Sequence, residues 1–137
     1  MSALLLDTHV WFWFVTGNAE LSAKIRDIIN TAIQDNVLHV AAISLWEIAM
    51  LEKKQRIILE MPCLEWLENA VKLTYTQVLP LTPAIAVESS YLPGDFHGDP
   101  AGRMIVATAR VAGLKLVSRD KRLSDYSKKK YITVIRA

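Results

Sequence analysis

Four carboxylates occupy positions where side chains could meet: Asp7, Glu47, Asp99 and Asp120. Asp7 directly follows Leu4-Leu5-Leu6, an apolar run that reads as a short buried strand. Asp120 follows Leu116-Val117 by a few residues, Asp99 precedes a helix leading into the Leu114 strand, and Glu47 reads as part of the first turn of a helix opened by Ser44. In open α/β sheets the functional crevice lies beyond the carboxyl ends of the strands, so these connections place all four acids near one rim. Carboxylates gathered there repel one another, and each resists ionisation unless a cation is present. Hard oxygen ligands suit Mg²⁺ or Mn²⁺, and such ions activate water against a phosphodiester. That chemistry needs no Ser, Cys or His nucleophile. His9 and His97 stand alone, lack metal-ligand spacing and read as ordinary polar residues.

Each acid also has a purely structural reading. Asp7 could end a strand as a turn residue. Ser44-x-x-Glu47 matches a capping box, and Asp99 before Pro100 matches an N-cap with proline at the first helical position. Asp120, between Arg119 and Lys121, could be a surface turn residue. Arg103, Arg119 and Lys121 lie in or near the last two acidic segments, with Arg110 and Arg122 close by. A basic rim around an acidic centre suits a phosphate backbone; each of these side chains could equally be solvated surface.

The elements that must carry these residues alternate. Strands are expected at Ala3 to Leu6, Val37 to Ile43, Leu114 to Val117 and Ile132 to Ile135, with a short apolar stretch at Gln77 to Leu81. Val10 to Phe14 is an aromatic-rich turn or short helix. Helices are expected from Ser22 as N-cap to about Asp35, from Ser44 to Lys53-Lys54, from Leu64 to Leu73, from Pro83, and from Pro100 to Ala112 with Gly113 closing it. Pro93 to Gly98 reads as a loop, and Lys128-Lys129-Lys130 as a solvated turn. Short buried strands alternating with amphipathic helices argue an α/β domain with a mostly parallel sheet covered on both faces.

Bulk composition narrows the class. The 137 residues are 52% apolar and 22% charged, fitting one globular domain over residues 1–137. Sixteen basic residues against fourteen acids leave a net charge of +2, too small to argue for nucleic acid without local clustering. Cys63 is the only cysteine, which excludes an intrachain disulfide and suits a reducing cytoplasm. The apolar start lacks a basic n-region and a cleavage site, and no run is long enough to span a membrane. A cytoplasmic protein is expected. The aromatics Trp11, Phe12, Trp13 and Phe14 read as core or subunit interface rather than a base-stacking platform.

Four segments carry a family likeness: L-L-L-D-T-H (4–9), A-A-I-S-L-W-E-I (41–48), L-P-G-D-F-H-G-D-P-A-G-R-M-I-V-A-T-A (92–109) and G-L-K-L-V-S-R-D (113–120). In this order and spacing they resemble the acidic motifs of PIN-domain VapC toxins of bacterial toxin–antitoxin pairs. The resemblance implies a three-layer α/β/α sandwich on a parallel sheet. It also implies a Mg²⁺- or Mn²⁺-dependent endoribonuclease, a cognate antitoxin, an RNA substrate and a homodimer. Carried over by position, Asp7 matches the first acid, Glu47 the second and Asp120 the acid of the last motif; Asp7, Asp99 and Asp120 would hold metal.

The third motif departs from the family pattern D-P-x-D-R. Asp99 keeps its first aspartate, but Gly102 stands where the second is expected. At the third position of a helix, glycine costs roughly 0.5–1 kcal/mol against alanine, and nothing local in the sequence favours it. Impaired catalysis is expected. The alternative is a catalytically inactive module on the same scaffold that binds RNA or an antitoxin. An aspartyl-phosphate phosphatase needs a second aspartate where His9 stands, and a receiver domain needs a phosphoacceptor that Leu79 to Thr82 lacks.

Overall fold

A computed structural model describes residues 3–96 and 98–137. In chain order it contains β1 (Leu4–Leu6), α1 (Thr8–Thr16), α2 (Ala23–Gln34), β2 (Leu38–Ala41), α3 (Ala42–Lys53) and α4 (Cys63–Leu73). These are followed by β3 (Gln77–Leu79), α5 (Pro83–Ser90), α6 (Pro100–Ala112), β4 (Lys115–Ser118), α7 (Lys121–Ser127) and β5 (Val134–Arg136). Every strand pairing is parallel, in the order β3-β2-β1-β4-β5.

Side chains alternate across a strand, and both faces of this sheet are buried, which is why its strands read as unbroken apolar runs. Leu4 and Leu6 enter one core with Trp11, Ile25, Ile29, Ile48 and Trp66, so α1 to α4 cover that face. Leu5 points the other way into a second core with Ile85, Ile105, Val106, Leu123 and Tyr126 from α5, α6 and α7. The result is the expected three-layer α/β/α sandwich. Among the described residues no helix is long and apolar enough to cross a membrane.

Local signals account for most boundaries. Ser22 Oγ accepts the Ile25 N–H at 3.3 Å, and Thr82 Oγ1 accepts that of Ile85 at 3.2 Å ahead of Pro83. Gly113, at φ +69°, closes α6 in the left-handed region that glycine enters without strain. Lys128 to Lys130 form an exposed turn, as expected. Trp11 is fully buried and Phe12, Trp13 and Phe14 pack against the same core. Phe12, Trp13 and Phe14 remain partly exposed, and large exposed apolar side chains also stand at Leu81, Val87 and Tyr91 around α5, and at Trp46.

Two expectations need correction. The second strand ends at Ala41 rather than Ile43, and α3 starts at Ala42 with Ala41 as an N-cap that makes no side-chain bond. Ser44 is therefore inside the helix and fully buried, so the Ser44-x-x-Glu47 capping box does not form. Of the two readings of Val10 to Phe14, turn or short helix, the helix holds and extends over nine residues, and α7 is an element to which the sequence assigns no pattern.

Candidate functional site

The chain runs from β1 outward to β2 and β3, then crosses β1 to lay down β4 and β5. The order reverses between β1 and β4, and at such a switch point the loops leaving adjacent strands part to open a crevice. A cleft of about 340 Å³ lies there, lined by Asp7, Thr8, His9, Trp13, Glu47, Phe96, Asp99, Gly102, Arg119, Asp120 and Arg122 among others. All four acids singled out from the sequence thus face one space. His9 is exposed on its wall, with its ring centroid 5.9 Å from that of Trp13; His97 lies outside the described residues.

Each acid is held differently. Asp7 is the N-cap of α1: its Oδ1 accepts the Thr8 N–H at 2.9 Å, and its Oδ2 accepts the Ser118 hydroxyl at 2.6 Å. Glu47 lies in the second turn of α3, not the first. Thr8 Oγ1 stands 2.5 Å from Glu47 Oε1 and 2.8 Å from Ser44 Oγ. A hydroxyl has one proton; with Thr8 donating to the carboxylate, Ser44 donates to Thr8. Asp99 is the N-cap of α6, its Oδ1 accepting the Gly102 N–H at 2.7 Å. Asp120 is the N-cap of α7 and accepts the Arg122 N–H at 2.9 Å. The capping readings of Asp99 and Asp120 coexist with their place in the cleft.

Electrostatics separates the acids into two kinds. Burial pushes the Asp7 carboxyl up, against the lowering effect of the Ser118 and Thr8 bonds, and nearby Asp120 adds to the rise. Burial likewise raises Glu47, with Asp7 and Asp99 adding to it and Thr8 opposing. Asp120 is held below the usual range by its bond from Arg122. Asp7 and Glu47 have no ion-pair partner among the described residues, whereas Asp120 pairs with Arg122 at 2.8 Å.

The basic residues divide as well. Arg119 lines the cleft with its guanidinium 4.6 Å from the Trp13 ring centroid, and it is anchored by Glu20 Oε2 at 2.6 Å and by the Glu20 carbonyl. Arg103, expected on an RNA-facing rim, instead donates to the Ser89 carbonyl at 2.9 Å and the Phe96 carbonyl at 2.8 Å. It ties the end of α5 to the loop before α6. Lys121 is exposed at the first position of α7 and does not line the cleft. Arg110 pairs with Glu88 at 2.7 Å, away from the site.

Gly102 acquires a local reason that its sequence context hides. A Cβ there would stand 2.7 Å from Asp99 Oδ1, so the bare backbone lets the Asp99 carboxylate close over the first turn of α6. The contact is with the end of an exposed, rotatable side chain, so it favours glycine without requiring it. Sequence reasoning also missed Thr8, Ser44 and Ser118. They are ordinary small hydroxyl residues whose importance comes only from burial beside partners distant in the chain: Thr8 against Glu47, Ser118 against Asp7, and Ser44 against Thr8.

The donor set is all carboxylate oxygen, which fits a hard divalent ion, and two desolvated acids without a basic partner fit one electrostatically. The arrangement is incomplete, however: among the described residues no three His, Cys, Asp or Glu side chains are grouped to hold one ion. Gly102 contributes no carboxylate, and Asp99 and Asp120 are drawn into helix caps.

Comparison with known proteins agrees with this fold. The PIN-domain family model matches residues 4–129. The chain is 37% identical over 134 residues to Ribonuclease VapC22 of Mycobacterium tuberculosis, covering 98% of this chain and 99% of that protein. Among solved structures, the DNA-bound VapBC of Salmonella typhimurium matches with a TM-score of 0.71 at 17% identity, covering 99% of this chain and 98% of the other. FitAcB of Neisseria gonorrhoeae matches at 0.64 and 18% identity over 96% of each chain. These two structural matches speak for the fold.

Proposed function

The chain belongs to the PIN-domain family and is a homologue of the VapC ribonucleases, and we propose that it is the toxin of a toxin–antitoxin pair, a Mg²⁺- or Mn²⁺-dependent endoribonuclease weakened by Gly102. The observation that carries this reading is the pair Asp7 and Glu47, two partly buried carboxylates with raised proton affinity and no cationic side chain bound to them, at the sheet's switch point. Asp7, Asp99 and Asp120 would hold the ion, with Glu47 beside them, once Asp99 and Asp120 leave their helix caps, since among the described residues no three acids are yet grouped around one point. Bound there, the ion would lower the proton affinity of a water and offset charge on the scissile phosphodiester.

The remaining residues organise this centre. Ser44 and Thr8 form a hydroxyl chain that fixes the Glu47 carboxylate, and Ser118 links Asp7 to the loop of Asp120, whose N–H it accepts at 3.0 Å. Arg119, held by Trp13 and Glu20, would take an RNA phosphate beside the acids. A missing ligand leaves the attacking water poorly placed, so Gly102 lowers turnover without disturbing the fold. An antitoxin partner is supported by the VapBC complexes among the structural neighbours. A cytoplasmic homodimer of one PIN domain per chain completes the reading.

The test is RNA cleavage by purified protein with Mn²⁺ or Mg²⁺, with chelator, and after Asp7→Asn. Weak metal-dependent cleavage that the substitution abolishes is expected. Chelator-resistant cleavage, or cleavage unchanged in Asp7→Asn, would overturn the mechanism.

A further inference from the structure

Asp120 faces the cleft with both oxygens engaged. Its Oδ1 accepts the Arg122 backbone N–H at 2.9 Å and lies 3.2 Å from Nε; its Oδ2 lies 2.8 Å from Nη2 and 3.3 Å from Nε. The guanidinium therefore lies along the carboxylate edge, a forked contact that a lysine ammonium cannot copy. Arg122 lines the same cleft as Asp7, Glu47 and Asp99, and the charges of Asp99 and Asp7 strengthen its hold as well as that of Asp120. One end of the acidic cluster thus carries the protein's own cation, while Asp7 and Glu47 carry none among the described residues. A metal ion that recruits an oxygen of Asp120 must exchange with the guanidinium.

We propose that Arg122 is a built-in competitor for the divalent ion, occupying Asp120 in the metal-free protein and giving it up when the ion binds. The inference deepens the metal-dependent reading above and rests on it. It explains how a cluster short of one carboxylate is held together without metal. Because the pair is well exposed, at 59% for Arg122 and 32% for Asp120, the competition is modest and reversible.

Calorimetric titration of the whole protein with Mn²⁺ alone, without nucleic acid, tests it. Arg122→Gln tightens Mn²⁺ binding by roughly two- to fivefold, the fold-change matching an exposed ion pair. Arg119→Gln is the control: it removes the same charge from the same cleft, but from an arginine anchored by Glu20, and tightens binding less. Adding Asp120→Asn to Arg122→Gln abolishes the gain over Asp120→Asn alone. Thermal melts of each variant without metal verify folding, which an exposed side chain leaves intact. Equal affinity in Arg122→Gln and parent, or a gain no larger than that of Arg119→Gln, overturns the competitor and leaves the metal reading standing. Absence of Mn²⁺ binding in every form overturns both.

Discussion

Restoring a carboxylate at position 102 separates the contributions of sequence and geometry at this site. In Gly102→Asp the helix exchanges glycine for a residue only about 0.3 kcal/mol better in a helix interior, and places an acid in its first turn, worth about 0.3–1 kcal/mol. Against this, the new Cβ would stand 2.7 Å from Asp99 Oδ1, so Asp99 must rotate and weaken its 2.7 Å cap bond to the residue 102 N–H. Losing such a cap costs about 1 kcal/mol, and two neighbouring carboxylates add repulsion of similar size in metal-free protein. The terms partly cancel, so thermal stability without metal falls by about 1 kcal/mol. Activity does not cancel: a recovered ligand is expected to raise metal-dependent cleavage about 10²-fold or more, which is ~2.7 kcal/mol of transition-state stabilisation. The assay is Mn²⁺-titrated cleavage of a labelled RNA by parent, Gly102→Asp and Asp99→Asn, with melts of each. Full activity in the parent that Asp99→Asn abolishes would refute the reasoning and make Asp99 the working acid.

Other perturbations follow from the same contacts. Ser118→Ala removes the hydroxyl that lowers Asp7, so the acid limb of the pH–rate profile moves to higher pH; an unmoved limb would detach Asp7 from the rate. Asp7 binds its proton more tightly folded than unfolded, so it withdraws stability as pH rises from the ordinary carboxylate range through its raised value. Asp7→Asn should therefore melt higher than parent at neutral pH without metal, with the gap shrinking on acidification; a pH-independent gap would contradict this. Arg103→Ala strands the Ser89 and Phe96 carbonyls and should lose about 1–3 kcal/mol in denaturant unfolding. Unchanged stability with weakened RNA binding would return Arg103 to the substrate surface. Arg119→Ala should weaken RNA binding and lower the salt slope by about one, read from anisotropy at several salt concentrations.

The sequence by itself determined the layers and which four acids face one cleft. Strands buried on both faces must be written as unbroken apolar runs, so β1, β2 and β4 were legible, and turn chemistry at Ser22, Pro83, Asp99 and Gly113 marked helix ends. Asp7 and Asp120 had to share a rim because both leave the carboxyl ends of parallel strands. What it could not specify was whatever depends on a partner distant in the chain. Ser44-x-x-Glu47 satisfies the local rule for a cap, yet α3 begins two residues earlier and buries Ser44, where it meets Thr8 from another helix. Arg103 and Arg119 look alike as basic residues near acidic motifs; the carbonyls of Ser89 and Phe96 claim one and the Trp13 ring the other. Gly102 looked unfavourable because helix propensity is a local quantity, whereas the rotamer of Asp99 that fills its missing side chain is set by folded geometry. Hydrophobic patterning repeats along the chain and can be read there; hydrogen-bond partners are chosen by proximity in space, and only the folded chain supplies it.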